Sequence, residues 1–504
     1  MKYEQNAFFQ DFKILNNFLY KYLFLNLLIN SYFYFYPGVY LPFIIYIFSI
    51  IFFLIKFSKI YKKYYFCFFA QIISLFAINI TYLNFILSVI LNNFYLKQDM
   101  EYILEFVFYC DLETYFIANS YLIVFSIIII FFSNFINFQM INKTIEKLKI
   151  QNLNINIKKN YFLIIICLFV EFIYFFSGTL GSQIAGTFVL NDPDDYATWY
   201  THFYYFLVSF HLLLNLILLK NNEKSRFKKF FLIISFFLNF IFYGFFLRRM
   251  AVQFLFIAIV IYFMITEKKI KKIKFFILNL FLISLLFQFT NFLQVIRTSE
   301  IYAVRADQNF KDIVTEGKIF QYFTNQDMRK DARNISMENI SKRIFNNHEL
   351  ATIFYHQKNT DSKYLYGKLV RNHFIGSIPQ KIFPNKKNYL KSDLLISTVT
   401  PSPLYYMDTN DSIHSFSYID FGLFGLVIYP ILIILICILF YNFINFKFIN
   451  NLTSLLILIL LLPMYSLRIT EIDITEWFVL IRNILIFTLI FNYILNSKDL
   501  INKK

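Results

Sequence analysis

The chain has 504 residues, 58% of them hydrophobic, 22% aromatic and 16% charged, with a mean hydropathy of +0.55. That composition excludes an ordinary soluble globular protein. The net charge of +17 lies mostly in short loops between apolar runs, with no basic domain outside them, which speaks against a nucleic-acid partner.

Spans of about 20 apolar residues cross a bilayer. The sequence predicts them near 39–57, 65–88, 115–136, 161–178, 201–219, 230–247, 250–266, 275–295, 418–441, 452–467 and 475–495. Residues 14–36 are apolar and aromatic but carry Lys21 and several Asn, and read either as a twelfth span or as an interfacial helix. The expected fold is therefore an all-α polytopic integral membrane protein with about 11–12 transmembrane helices. No cleavable signal peptide is expected, because the N-terminus lacks a short apolar core followed by small residues. Cys67, Cys110, Cys167 and Cys437 are too scattered for a disulfide framework or a metal site.

Loop charge orients the spans. Lys clusters at 56–63, 143–159, 220–229 and 268–274, and the C-terminal Lys498, Lys503 and Lys504, fall on one side, which the positive-inside tendency makes cytoplasmic. Loops 89–114, 179–200, 248–249, 296–416 and 468–474 then face outside. Three regions follow: an N-terminal bundle over 1–295, a large extracytoplasmic loop over 296–416 and a C-terminal bundle over 417–504. The loop holds seventeen Lys/Arg, twelve Asp/Glu and four of the six histidines, His348, His356, His373 and His414. Loops on a rigid scaffold are where function concentrates.

Arginines gather at the outer ends of the spans. Arg248 and Arg249 occupy a hairpin turn that faces outside, against the charge tendency. Such a pair either snorkels at a helix end or binds an anion, for which the planar guanidinium fork is suited. Arg297 and Arg305 follow the span at 275–295, Arg468 closes the one at 452–467, and Arg482 lies inside 475–495. Arg482, Glu171 and His211 fall within spans and should face the bundle or a wet cavity. Glu471 or Glu476 would neutralise Arg482 if its role is structural. A ring of this kind suits an anionic, lipid-linked substrate presented at the outer leaflet.

Within the loop, 311–356 reads as helical. Tyr366–Gly367, Arg371 and His373 follow, and then Ile378–Pro379 and Pro384–Asn385–Lys386, whose prolines forbid helix interior between them. The chain returns through Asp411, His414 and Asp420 to Gly422 and Gly425, which open the next span as small residues that allow close helix approach. Asp192, Asp194 and Asp195 form the single metal-like cluster, read either as a divalent-cation site or as an acidic turn. No phosphate-cradling Gly-rich loop, zinc spacing or nucleophile elbow occurs.

The hairpin Phe246–Leu247–Arg248–Arg249, the run from Tyr366–Gly367 to Lys386, the segment His414–Gly425 and the stretch Phe345–Ala351 around Glu349 together resemble the O-antigen polymerases, or oligosaccharide repeat unit polymerases, of bacterial envelopes. The family's Gly-rich approach to the hairpin arginine is reduced here to Gly244, so the counterpart is either Arg248 or Arg249. The resemblance implies a GT-C-like, metal- and nucleotide-independent glycosyltransferase, multi-pass in the bacterial inner membrane, with no cofactor. Its partners would be membrane lipids and two undecaprenyl-diphosphate-linked oligosaccharides, beside a chain-length regulator and a flippase. It places diphosphate binding on Arg248, Arg249, Arg297, Arg371 and Arg468, and the general base among Glu349, His373 and His414. The rival expectations are an O-antigen ligase, a lipid-linked oligosaccharide flippase or other transporter, and a receptor or scaffold.

Overall fold

A computed structural model describes residues 2–35, 111–135, 157–176, 199–220, 225–246, 324–327, 329–330, 348–359, 364–378, 382–389, 413–446, 449, 478, 482, 485–490 and 492–493. Every regular element among them is helical. Two helices, Glu113–Ser133 and Ile413–Ile436, are long and apolar enough to cross a membrane. The spans expected at 39–57, 65–88, 250–266, 275–295 and 452–467 lie outside the described residues.

The chain divides into two compact units. The first comprises Met1–Lys147, Ser341–Asn450 and Met464–Lys504, and the second Leu148–Ile340 and Asn451–Pro463. Each is described by itself.

In the first unit, α1 (Lys2–Phe35) runs antiparallel along α2 (Leu112–Ser133). Asn16 donates to Asn134 Oδ1 at 2.7 Å near one end, and Asn30 to the Phe116 carbonyl at 2.9 Å and Ser120 Oγ at 2.7 Å near the other. Asn16, Leu19, Leu23, Asn26 and Asn30 are all buried. Their alternating three- and four-residue spacing is the seam of a left-handed helix pair. Three of the asparagines that made 14–36 ambiguous thus lie on the inward face, while Ile14, Asn17, Lys21, Phe24 and Leu28 are exposed. Asp111 caps α2, accepting from the Thr114 amide at 2.7 Å and its hydroxyl at 2.6 Å.

α2 is central. It also packs against α6 (His348–Asn359) and α9 (Gly425–Ile444). The loop contributes α7 (Lys368–Ser377) and a 3-10 turn, Pro384–Tyr389. Pro384 opens that turn, where its missing N–H costs nothing. Ile378, before Pro379, ends α7 at φ −74°, ψ 135°, the extended backbone that a following proline demands.

The re-entry differs from expectation. The helix begins earlier, as α8 (Ile413–Phe421), and breaks at a 3-10 turn, Gly422–Phe424, before α9. His414 therefore belongs to a buried helix that leads into the span. Gly422 makes the break with φ +60°, and the Tyr364 ring lies where its Cβ would be.

In the second unit, α3 (Ile157–Phe176), α4 (Trp199–Lys220) and α5 (Arg226–Phe246) pack together. They begin up to one turn before the expected spans, because hydropathy marks the apolar length whereas the helices continue through Lys158, Lys159, Arg226, Lys228 and Lys229. α4 is buried continuously from Leu207 to Leu214. The outward faces of α3 and α5 carry Phe162, Phe169, Phe172, Phe230 and Phe237, while Glu171, His211, Ser235 and Asn239 are wholly buried. This is the reverse of a water-soluble protein's arrangement.

Gly425 gives the sharpest test of the first unit. A Cβ there would stand 2.0 Å from the Ser417 carbonyl oxygen and 3.0 Å from Tyr121 Oη. Gly425→Ala is expected to cost about 3 kcal/mol, the upper range for overpacking. The check is thermal unfolding in detergent, where a melting temperature equal to wild type would remove this contact.

Candidate functional site

The site is built around α7. Its buried residues are Leu369, Asn372, His373, Gly376 and Ser377, one face at helical spacing, and its exposed residues are Lys368, Arg371 and Phe374. Tyr366 and Gly367 precede it in left-handed backbone, φ 50° and 84°. The glycine does this without strain, whereas Tyr366 pays about 1–2 kcal/mol. Two successive left-handed residues turn the chain so that the first amides of α7 converge on one point.

Asp420 occupies that point. Its carboxylate accepts from the amides of Gly367 at 2.9 Å, Leu369 at 3.2 Å and Val370 at 3.2 Å, and from the Tyr429 hydroxyl at 3.3 Å. Alongside, the Leu365 amide donates to the Ile419 carbonyl at 3.0 Å and the Tyr366 amide to the Asp420 carbonyl at 2.7 Å. The Tyr366–Gly367 motif and the re-entry segment, far apart in sequence, are thereby fastened together. At the other end of α7, Arg482 donates to the Ser377 carbonyl at 2.5 Å, and Phe478 meets Phe374 edge-on at 5.4 Å.

An aromatic cluster supports this joint. Tyr418 packs on Phe354 at 4.2 Å, Tyr121 at 5.6 Å and Tyr364 at 5.8 Å between ring centroids. Tyr121 Oη lies 2.9 Å from Ser417 Oγ. Edge and offset contacts of this kind contribute about 0.5–1.5 kcal/mol each beyond area burial.

The expected site residues fall as follows. Arg371 is exposed on the outer face of α7, over the Tyr389 ring at 5.8 Å, with long bonds of 3.4 Å from Nε and Nη2 to Asn372 Oδ1. Among the described residues it has no carboxylate partner. His373 is buried against Phe416 at 5.4 Å, and His414 is buried edge-on to Phe125 at 4.7 Å. Arg371 and His373 stand about 200° apart around the helix and do not converge. Glu349 lies in the first turn of α6, its side chain outside the described residues. Arg248, Arg249, Arg297 and Arg468 lie outside them too, as do Arg305, Glu471, Glu476 and the Asp192–Asp195 cluster. Arg482 faces inward as expected, and the partner found for it is a helix-end carbonyl.

Asp420 is the residue that sequence reasoning missed. The signal was present: a carboxylate just inside the span expected at 418–441, open to the argument already applied to Arg482. Comparison with protein-family models, with curated proteins and with solved structures gives no match.

Asp420→Ala leaves three amides of α7 without their acceptor. It is expected to lower stability by about 2–3 kcal/mol, the range for a hydrogen-bonded charged group. Hydrogen exchange over 367–377 should accelerate, and unchanged protection there would refute the cap. His356, on α6, is held below its ordinary value of 6.5 by burial. A histidine held low stays neutral further down the pH scale when folded, so its contribution is whole above that ordinary value and is lost as pH falls from there through the lowered folded value. His356→Gln should therefore flatten the acid side of the curve of melting temperature against pH.

Proposed function

We propose that this chain is a multi-pass glycosyltransferase of the bacterial inner membrane that polymerises undecaprenyl-diphosphate-linked oligosaccharide repeat units at the outer leaflet. The observation that carries this reading is Arg371. It is an exposed guanidinium with no carboxylate partner among the described residues, on a helix fixed at both ends and seated on the re-entry segment. The resemblance places a diphosphate-binding arginine there. Helix faces of exposed Phe and Ile over buried polar side chains support a chain immersed in lipid. The antiparallel course of α1 along α2 supports counting residues 14–36 as a twelfth span.

The reaction needs little from the protein. A terminal hydroxyl of the incoming repeat unit attacks the anomeric carbon of the growing chain. The bond from that carbon to the diphosphate oxygen breaks, and undecaprenyl diphosphate leaves with the electron pair. The proton of the hydroxyl passes to a base, for which Glu349, His373 and His414 are the expected residues. Charge builds on the diphosphate, and a fixed cation stabilises it without reorganisation. Arg371 would supply that charge, with Arg248, Arg249, Arg297 and Arg468 as the other expected contributors.

The test is reconstitution in liposomes with a lipid-diphosphate-linked repeat unit. A ladder of glycan lengths is expected, and Arg371→Ala should slow it by about 100-fold, the size of effect seen when one charge-stabilising donor is removed. Arg371→Lys should recover only part of the rate, since a point charge replaces a bidentate fork. If no ladder forms but finished glycan moves to a lipid A core, the chain is a ligase. If repeat unit crosses the bilayer unextended, it is a flippase.

A further inference from the structure

α3, α4 and α5 enclose a group of polar side chains that the polymerase reading does not use. Glu171 on α3, His211 on α4, and Ser235 and Asn239 on α5 are wholly buried. His211 Nδ1 lies 2.8 Å and 3.0 Å from the two carboxylate oxygens of Glu171, and its Nε2 lies 2.7 Å from Ser235 Oγ. Asn239 Nδ2 lies 2.9 Å from Glu171 Oε1, 3.3 Å from the Val208 carbonyl and 2.8 Å from His211 Nδ1. Each helix contributes to one connected network.

The chemistry of these atoms permits two proton counts. With one proton fewer, His211 is neutral, its Nδ1–H donates to the Glu171 carboxylate, and the Ser235 hydroxyl donates to the bare Nε2. With one proton more, Nε2 carries a hydrogen and donates to Ser235 Oγ, while a proton remains between Nδ1 and Glu171. The Glu171 and Ser235 contacts of His211 persist in both counts, while the 2.8 Å approach of Asn239 Nδ2 to His211 Nδ1 sets donor against donor. A hydroxyl is what makes this workable, since it rotates to donate or to accept. Asn239 donates to Glu171 in both counts and offsets the buried negative charge of the first.

Other titratable groups do not intrude. Among the described residues, α3 adds Lys158, Lys159 and Tyr161 at its start and Cys167, buried one turn before Glu171, and α5 adds Arg226, Lys228 and Lys229 in its exposed first turn. α4 adds none within its buried stretch. Asn215, one turn beyond His211 on α4, is wholly buried, and neither its Nδ2 nor its Oδ1 has a hydrogen-bond partner among the described residues, so it stands outside the network.

We propose that Glu171, His211 and Ser235 form a buried proton-binding site that loads and releases one proton. Ionisable groups enclosed within apolar helices recur in proton relays. The proposal rests on burial and hydrogen bonding within α3–α5 and stands apart from the polymerase reading. The same distances would suit Ser235 as a nucleophile, but its complete burial leaves no space for an acyl substrate.

The test uses full-length protein, labelled with ¹⁵N-histidine, in lipid nanodiscs. Six histidines give a tractable spectrum. The His211 Nε2 signal, identified by its absence in His211→Gln, is followed from about pH 9 to about pH 5, spanning the range in which histidine ordinarily switches. It is expected to move from the bare to the protonated position. A signal fixed throughout would overturn the proposal and leave a static polar lock. Ser235→Ala keeps the His–Glu pair and removes the rotating hydroxyl. It should displace the Nε2 signal at both ends of the series, since that nitrogen loses its partner in each count, and a signal equal to wild type throughout would exclude Ser235 from the site. If His211→Gln fails to fold, the Ser235→Ala shift itself identifies the signal. Covalent labelling of Ser235 by a fluorophosphonate, absent in Ser235→Ala, would overturn the proposal in favour of a nucleophile.

Discussion

The first unit depends on how the ends of one short helix are satisfied. α7 has ten residues, too few to be stable alone. Its unsatisfied amides meet the Asp420 carboxylate, and its last carbonyls meet Arg482. A negative group at the N-terminus and a positive one at the C-terminus both oppose the helix dipole favourably. The two partners come from different helices, α8 and the segment around 482, so α7 is held between them like a rung. A loop helix that would otherwise fray becomes a fixed platform, and Arg371 rides on its outer face. The same arrangement decides where an anionic ligand can bind. A helix N-terminus preceded by left-handed residues is a ready anion site, but here the anion is internal. On the proposed reading, a diphosphate would have to be met by arginine side chains instead.

Both units place polar side chains inside and Phe, Ile and Leu outside, yet they do so to different ends. On the α1–α2 seam, Asn16, Asn26 and Asn30 bond to carbonyls and small polar groups across or along the pair. These are neutral contacts of fixed polarity, the kind that holds helices together where lipid removes the hydrophobic drive for association. In the second unit the enclosed groups are Glu171 and His211, an ionisable pair. An isolated charge of either sign would be costly there, and the pair is tolerable because it is shared and bonded on every side. Packing alone would be served by asparagines, as α1 demonstrates. The use of an ionisable pair at α3–α5 is what sets that cluster apart.

Much of this was legible from the sequence. The helices at 112–133, 157–176, 199–220 and 226–246 follow from unbroken apolar runs, with ends displaced by up to one turn. The amphipathic spacing of α7 and the need for small residues at Gly422 and Gly425 could also be read directly. The pairings were a different matter. Hydropathy says that Glu171, His211 and Arg482 must face inward, but not which helix lies opposite, so the bond from Glu171 to His211 and that from Arg482 to Ser377 required the fold. Asp420 reaches amides 50 to 53 residues earlier, a separation with no local pattern. On α1, the seam was present at the right spacing, but three asparagines on it made an inward face look like a wet one.

The buried histidines bear on how a hydroxyl proton would be removed. A base must come within about 3 Å of that proton. A diphosphate held by Arg371 lies on the outer face of α7, and His373 points through the helix to the opposite side, against Phe416. His414 is further enclosed, against Phe125 of α2. Both rings do what large flat side chains do in a core: they seat α7 on α8, and α8 on α2. For either to serve as base, that packing would have to open. The arrangement therefore gives the two histidines a part in holding the platform, with Arg371 left exposed on its outer face.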